Sequence, residues 1–277
     1  TVPLGAGLSS SAALLVSAGL AFAAGAGSQV EPVKLALLAQ KAEREYVGVN
    51  VGIMDQYISA LGVCDHALLI DTRNLSHQAV PLPAEGVSIV ILDTQKKRGL
   101  VDSEYNRRRE ECQEAVELIS RKLPRVKALR DVSLADFAEV EASLPDVVRR
   151  RARHVVTEDA RTLDAADALR REDLHRFGEL MYASHRSLRD DYQVSCMELD
   201  ALVEAACKID GVYGCRMTGG GFGGCAVALA RNSALGEIQE SAPREYREKT
   251  GLSPAIYVTS ASAGACLLRQ AQTTVSA

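Results

Sequence analysis

The sequence predicts an α+β fold, in which β-strands are mixed irregularly with α-helices. Apolar, strand-like runs occupy residues 66–71 and 87–93, and two more flank a glycine-rich stretch within residues 213–230. The segments between these runs have the length and the apolar periodicity of helices. Because the two kinds of element do not alternate regularly, the pattern favours layered helices and sheet over a parallel βαβ repeat.

The helices are predicted from several local signals. Small residues fill positions 10–25, where we expect a helix buried on most sides, and Pro32 suits the first turn of a second helix. An amphipathic stripe indicates a charged helix over 103–122, and Ser133 with Asp136 has the spacing of a capping box. The predicted helices cover residues 10–25, 32–46, 53–61, 103–122, 133–141, 146–190 with one or two breaks, 197–206 and 235–250, and a final strand is predicted at 255–259.

Two domains are expected, residues 1–84 and residues 85–277. The boundary is placed here because Pro81 and Pro83 interrupt the chain between the first two strand-like runs. Neither part contains an internal repeat or a low-complexity segment.

Composition and charge narrow the class of protein. Hydrophobic residues make up 47% of the chain and charged residues 25%, the balance of a folded globular protein. The net charge of −4 provides no positive field to gather nucleic acid or an anionic membrane, and the basic run at residues 149–153 is interpreted as a solvated helix face. Seven cysteines, none in a C-x-x-C pair, indicate reduced thiols. We therefore expect a cytoplasmic protein that binds neither nucleic acid nor membrane.

A glycine- and serine-rich loop, PLGAGLSSSAA at residues 3–13, runs directly into the first predicted helix. Its glycines allow backbone N–H groups to converge on an anion, and the positive end of the following helix stabilises a phosphate there. The serine hydroxyls can bond phosphate oxygens or coordinate Mg²⁺. The loop lacks the lysine of the G-x-x-x-x-G-K-[ST] motif. A tight turn with an N-cap serine and no ligand is the alternative interpretation.

Two carboxylates are candidates for chemistry. Asp55 stands among apolar residues in a predicted helix, where it could orient a hydroxyl group or accept its proton; helix capping is the alternative. Glu43 lies at the edge of the apolar face of the 32–46 helix and could reach a metal ion near the phosphates. Glu45 occupies the opposite edge of that face. A solvated helix edge is therefore the simpler interpretation of Glu43.

Five glycines lie between Thr218 and Gly224, just before an apolar strand. Glycine in a regular element is destabilising by roughly 0.5–1 kcal/mol relative to alanine, because it loses more backbone entropy on folding. So many glycines indicate that a ligand or another backbone approaches closely. A glycine-rich turn between strands is the alternative.

Six short motifs follow one another along the chain. They are PLGAGLSSSAA at residues 3–13, GIMDQ at 52–56, HALLID at 66–71, DSEYNRR at 102–108, SLRDDY at 187–192 and MTGGGFGG at 217–224. Together they resemble the galactokinases of the GHMP small-molecule kinase superfamily, over residues 1 to about 265. The combination of GIMDQ, SEYNRR and MTGGGFGG favours galactokinases over mevalonate and homoserine kinases.

The resemblance implies a two-domain GHMP kinase fold, with a ribosomal-protein-S5-like first domain, incomplete here, and a ferredoxin-like second domain. It implies ATP and Mg²⁺ as cofactors, galactose as substrate and a site in the cleft between the domains. Ser11 and Glu43 match metal ligands. Asp55 matches the catalytic aspartate that orients or deprotonates the anomeric hydroxyl, and Tyr105 matches a galactose contact. The loop that wraps the ATP phosphates corresponds to Pro3, Leu4, Gly5, Ala6, Gly7, Leu8, Ser9, Ser10, Ser11 and Ala12.

The sequence departs from the galactokinase pattern at its start. Galactokinases carry a sugar-recognition motif of the form GEHTDY and a nearby arginine in an N-terminal segment, and neither occurs here. We therefore expect this chain alone to have little activity. Separately, we expect the protein to be a monomer. Two alternatives stay open: a kinase for a related sugar such as N-acetylgalactosamine or arabinose, and a non-catalytic sensor of galactose and ATP. The uninterrupted serines at 9–11 and the retained Asp55 argue against the sensor.

Overall fold

A computed structural model describes residues 8–48, 51–83, 85–96 and 101–268 of the chain. The chain divides into two compact units. Among the described residues, unit 1 contains residues 9–80 and 261–268, and unit 2 contains Leu8 and residues 81–260.

Helices and strands are mixed irregularly along the chain, as the predicted α+β fold class implies. The helices are α1 (Ser10–Gly25), α2 (Pro32–Ala42), α3 (Met54–Leu61), α4 (Val101–Ser120), α5 (Leu134–Val140), α6 (Asp146–Arg170), α7 (Leu174–Ser187), α8 (Met197–Cys207) and α9 (Leu235–Thr250). The strands are β1 (His66–Asp71), β2 (Ser76–Pro81), β3 (Val87–Asp93), β4 (Val212–Met217), β5 (Cys225–Arg231) and β6 (Ala255–Thr259). Within the described ranges, no helix combines the length and the apolar content that a membrane span requires.

Unit 1 is built from three short helices, α1 to α3, and the β1–β2 hairpin. Val16 of α1 packs with Leu35 of α2, and Tyr57 of α3 packs with Ala36 on the neighbouring face of α2. Both clusters are small, so α2 is buried between its two neighbours while the outer faces of α1 remain exposed. The expectation that α1 is buried on most sides is wrong, because Phe22 is 76% exposed.

The segment after β6 returns to unit 1 as an extended strap, defined here as residues 261–268. The Gly264 N–H donates to the Gly62 carbonyl and the Ala265 N–H donates to the Ser59 carbonyl, each over 2.8 Å. A Cβ added to Gly264 would lie 2.7 Å from the Ala60 carbonyl oxygen, so this close contact requires glycine. The strap therefore pairs with the end of α3 through backbone hydrogen bonds.

Two boundaries in unit 1 differ from the sequence prediction. The helix predicted over 32–46 ends as an α-helix at Ala42 and continues as one π-helical turn, Glu43–Val47, closed by Gly48 with φ of 84°. A short strand, β2, was not predicted, because polar residues fill it and only Val80 is buried. Both differences reflect tertiary contacts that local periodicity does not record.

Unit 2 is centred on a four-stranded antiparallel sheet of order β4-β5-β3-β6. β3 is central, with Val90 opposite Ala228 on one side and Val258 on the other. Val90 and Leu92 are fully buried and pack in one core with α8 and α9, which cover this face. α4, α5 and α6 share a second core. The predicted capping box is present at the start of α5, where the Ser133 and Asp136 side chains each bond the other residue's backbone N–H.

Helix α7 packs unusually closely on strand β4. A Cβ added to Gly178 would lie 1.8 Å from the Tyr213 carbonyl oxygen, and one added to Gly214 would lie 2.5 Å from the Gly178 Cα. Two glycines face each other here because the two backbones are in direct contact.

We predict that Gly178→Ala destabilises the protein by about 2–4 kcal/mol, because the new methyl group has no space and the helix must move away from the strand. Urea denaturation followed by circular dichroism measures the change. Gly236→Ala is the matched control, since a Cβ at this exposed position of α9 meets nothing within 4 Å. The control should be neutral or slightly stabilising, and equal effects of the two variants would contradict the close-contact interpretation.

Candidate active site

A buried carboxylate lies at the centre of unit 1. The Glu43 side chain is 6% exposed, and each of its two oxygens accepts one hydrogen bond. The Ser11 hydroxyl donates to Oε1 over 2.6 Å, and the Gln56 amide nitrogen donates to Oε2 over 2.6 Å. A buried charge requires such partners, because burial removes its hydration. Three separate elements, α1, the π-turn and α3, therefore meet at one carboxylate.

The structure distinguishes Glu43 from Glu45, which the sequence left equivalent. Glu45 is 68% exposed and forms a surface ion pair with Lys41 at 3.7 Å. Glu43 lies in the first position of the π-turn and faces inward. The solvated helix edge is therefore the wrong interpretation of Glu43 and the right one for Glu45.

Asp55 occupies the first turn of α3, directly before Gln56. Its side chain is half-buried and, within the described part of the chain, makes no hydrogen bond or ion pair. Ile53 is the N-cap residue and no side chain caps this helix, so Asp55 does not act as a capping residue. Its carboxylate oxygens lie in the first turn of α3, at the helix N-terminus.

The glycine–serine loop is described only in part. Residues 3–7, which include the predicted Pro3, Leu4, Gly5, Ala6 and Gly7, lie outside the described residues. Ser9 is the N-cap of α1, but it has a left-handed φ of 57° and its hydroxyl makes no capping bond. Of the remaining predicted residues, Ala12 is buried, Leu8 and Ser10 are half-buried, and Ser11 is exposed while bonded to Glu43. The capped-turn alternative is therefore not what forms here.

Tyr105 lies in unit 2, on the exposed face of α4, and its side chain is 37% exposed. One turn later, Arg108 is buried and donates to the Tyr192 and Gln193 carbonyl oxygens over 2.8 and 2.9 Å. Its guanidinium group also stands over the Phe222 ring, 5.8 Å from the ring centre. The DSEYNRR, SLRDDY and MTGGGFGG motifs therefore meet in space around Arg108.

Arg151 joins the same cluster and corrects the interpretation of residues 149–153 as a solvated face. Its side chain is 3% exposed, and it pairs with Glu111 at 2.6 Å. It also donates to the Asp191 carbonyl oxygen over 2.5 Å. The neighbouring arginines lower the pKa of the Glu111 carboxyl against the opposing effect of burial. Arg151 is buried because paired acceptors on α4 and on the 188–193 segment satisfy it.

The glycine-rich loop, residues 218–224, contacts Val194, the residue that follows the 188–193 segment. Gly221 has φ of +85°, and a Cβ added to it would lie 2.1 Å from the Val194 carbonyl oxygen. The next residue, Phe222, donates its N–H to that same oxygen over 2.8 Å. The sequence predicted that a ligand or another backbone approaches this loop closely. At Gly221 the close neighbour is another backbone, that of Val194.

His154 on α6 is buried behind the SLRDDY segment. Its Nδ1 lies 3.0 Å from the Ser187 hydroxyl, and its ring stacks on Tyr192 with ring centres 4.5 Å apart. Burial lowers the pKa of His154 to about 4. The nearby charges act in both directions: Glu158 and Asp191 raise this pKa, whereas Arg161 and Arg216 lower it.

We predict that unfolding stability decreases as the pH falls below about 6.5, because unfolded chains bind a proton on His154 that the native state binds only near pH 4. At pH 5 this single group accounts for about 2 kcal/mol. Urea denaturation at pH 7.5 and pH 5 should show the loss in the wild-type protein and a loss smaller by that amount in His154→Gln. His175→Gln, at an exposed position, is the control and should behave as the wild type. An unchanged pH dependence in His154→Gln would refute the assignment.

Sequence reasoning assigned no role to Gln56, although it lies in the GIMDQ motif. The side chain is 1% exposed. A signal was present, because Gln56 stands beside Tyr57 on the apolar side of α3, where a polar side chain needs a partner. That partner, Glu43, is 13 residues away and could not be inferred from local periodicity.

The chain matches a known class of proteins. Residues 1–63 match the family of GHMP kinases N terminal domains, and residues 165–248 match the family of GHMP kinases C terminal regions. These two matches define the class of the protein as a GHMP kinase. The crystal structure of L. major mevalonate kinase in complex with R-mevalonate has a TM-score of 0.59 at 19% identity, over 93% of this chain and 67% of that one. This likeness concerns the fold alone.

Two closer relatives narrow the class to one family. A galactokinase of Roseiflexus sp. (strain RS-1) is 48% identical over 263 residues, covering 95% of this chain and 67% of that protein. The crystal structure of Lactococcus lactis galactokinase complexed with galactose has a TM-score of 0.90 at 38% identity, over 95% of this chain and 68% of that one. The chain therefore belongs to the galactokinase family, and it is a sugar kinase. It spans about two thirds of the length of these relatives.

Proposed function

We propose that the protein transfers the γ-phosphoryl group of ATP to the anomeric hydroxyl of galactose, and that Ser11, Glu43 and Asp55 carry out this reaction. The observation that supports the assignment is the buried Glu43 carboxylate, bonded to Ser11 and to the neighbour of Asp55. Phosphoryl transfer needs a phosphate and metal site beside a group that orients the attacking hydroxyl. These three residue types meet that need.

The start of α1 binds the ATP phosphates in this proposal, together with the loop at residues 3–12. The first N–H groups of a helix have no partners within the helix, and no described side chain caps α1. They can therefore donate to phosphate oxygens, assisted by the helix dipole. Ser9, directly before α1, has a left-handed backbone with φ of 57°.

Glu43 and Ser11 fit Mg²⁺. They offer a carboxylate oxygen and a hydroxyl oxygen, hard ligands that Mg²⁺ prefers. In nucleotide sites Mg²⁺ uses only one or two carboxylates, with phosphate oxygens and water completing its octahedron. Ser11 and Glu43 would hold the ion, and Mg²⁺ bound there would neutralise charge on the transferring phosphoryl group. The Ser11 hydroxyl and Oε1 of Glu43 lie 2.6 Å apart, so both oxygens are close enough to serve one ion.

Asp55 acts on the sugar. Its unpaired carboxylate accepts the hydrogen bond of the anomeric hydroxyl and takes its proton. The sugar oxygen then forms a bond to the γ-phosphorus while the bond from that phosphorus to the bridging oxygen of ADP breaks. Tyr105 supplies a galactose contact in this proposal, as its motif in the family implies.

The cytoplasmic location and the monomeric state are part of the same proposal. The cysteines at 64, 112, 196, 207, 215 and 266, all among the described residues, form no disulfide. Reduced cysteines in this number are typical of proteins from reducing compartments.

We predict that Asp55→Asn lowers kcat by about 10²- to 10⁴-fold, because the amide can neither take the proton nor carry the charge that orients the hydroxyl. The measurement is ATP-dependent phosphorylation of galactose by protein expressed from its complete coding sequence, with nucleotide affinity measured in parallel. Asp65→Asn in the same unit is the control and should retain full turnover. Turnover of Asp55→Asn close to that of the wild type would exclude the assigned chemistry.

We predict that Glu43→Gln raises the Mg²⁺ concentration required for half-maximal activity at least about tenfold, because the ion loses its anionic ligand. Mn²⁺ binding in the presence of a non-hydrolysable ATP analogue, followed by electron paramagnetic resonance, measures the affinity directly. Glu45→Gln, on the same turn but exposed, should leave both values unchanged. Equal metal affinity in the two variants would reject the proposed metal site.

A further inference from the structure

Gln56 is one of the few polar side chains in the core of unit 1. It is 1% exposed, and its amide nitrogen donates to Glu43 Oε2 over 2.6 Å. The other carboxylate oxygen, Oε1, faces the Ser11 hydroxyl at 2.6 Å. The two oxygens of Glu43 therefore have different partners, one in the core and one at the surface.

We infer that Gln56 is a positioning residue for the proposed metal site, which holds Oε2 of Glu43 so that Oε1 and the Ser11 hydroxyl oxygen face the cation. The inference rests on the proposed function, because it presupposes that Glu43 is a metal ligand. It adds a residue that makes no contact with ATP, sugar or metal. Gln56 acts through Glu43.

The chemistry of the two side chains fixes which atom of the amide faces Glu43. An ionised carboxylate only accepts hydrogen bonds, so the amide nitrogen must face it. The Gln56 oxygen, Oε1, is then buried and has no hydrogen-bond partner among the described residues. Leaving a buried acceptor unpaired is unfavourable. The arrangement therefore keeps the bond to Glu43 at the expense of the other end of the amide.

The two hydrogen bonds of Glu43 would have different roles beside a cation. Ser11 and Oε1 would hold the ion through lone pairs, of which each oxygen has two, whether or not the hydroxyl still donated to Oε1. The Gln56 bond is made to the other oxygen, Oε2. Since second-shell donors orient ligating carboxylates and tune their affinity, Gln56 would preserve the orientation of Glu43 independently of Ser11.

Gln56 also fixes α3 relative to Glu43. Asp55 precedes it in the same helical turn. On the following residue, the Tyr57 hydroxyl donates to the Leu75 carbonyl oxygen over 2.6 Å, so α3 is held from two directions. The distance from the metal carboxylate to the Asp55 carboxylate is set by this stretch of backbone.

The test compares Gln56→Met, which keeps the volume but removes the donor, with the wild-type protein expressed from its complete coding sequence. We expect the dissociation constant for Mn²⁺, measured by electron paramagnetic resonance with a non-hydrolysable ATP analogue, to rise about 10- to 100-fold. The Mg²⁺ concentration for half-maximal activity should rise in parallel. At saturating Mg²⁺ kcat should recover to within about threefold, and KM for galactose should not change.

Gln40→Met is the matched control. Gln40 is another glutamine of unit 1, half-buried, and its amide donates to the Val51 carbonyl oxygen over 3.2 Å, not to Glu43. The same substitution there removes one hydrogen bond of the fold but should leave Mn²⁺ affinity unchanged. A similar loss of metal affinity in both variants would mean that Gln56 has only a structural role, and the inference would be wrong.

A second measurement needs no variant. In a crystal structure of the wild-type protein with Mg²⁺ and the ATP analogue, Gln56 should still donate to Oε2 while Oε1 contacts the ion. An amide that has left Glu43 would overturn the inference.

Failure of the metal-site proposal and failure of the Gln56 inference can be distinguished. If Glu43→Gln does not weaken Mn²⁺ binding, the metal site itself is wrong. If Glu43→Gln weakens it and a folded Gln56→Met does not, only the role of Gln56 is wrong.

Discussion

One buried charge organises unit 1. The Glu43 carboxylate is removed from water, and a charge in that position persists only where hydrogen bonds replace its hydration. Both donors, the Ser11 hydroxyl and the Gln56 amide, are neutral and come from different helices. Neither of these contacts supplies a cationic side chain to Glu43. The proposed metal site depends on this feature. The packing of the three helices of unit 1 thus supports a single buried carboxylate.

In unit 2, arginine side chains hold an irregular backbone segment, residues 188–193, in place. The carbonyl groups at 191–193 lie at the end of the π-turn Leu188–Tyr192 and just after it, where they need partners. Arg108 and Arg151 supply hydrogen-bond donors to them from α4 and α6. The glycine-rich loop makes its backbone contact with the next residue, Val194. Arginine suits the task, since its planar group donates several hydrogen bonds in fixed directions.

The sequence predicted the fold class and most helices and strands correctly, because their periodicity is strong. It also predicted the capping box at Ser133, which depends on residues three positions apart. It failed where a contact spans the chain. Nothing local separates Glu43 from Glu45, identifies Gln56 as a donor or shows that Arg151 is buried. Family resemblance supplied Glu43 and Asp55, whereas Gln56 required the packing of α3 against α2.

The return of the strap has a consequence for biosynthesis. Unit 1 is discontinuous in sequence, since residues 261–268 complete what residues 9–80 begin. Domains of many proteins fold in order as they leave the ribosome. Here the end of α3 waits for its backbone partners until residues 261–268 have been synthesised. Translation must therefore deliver residues 81–260 of unit 2 before unit 1 can close.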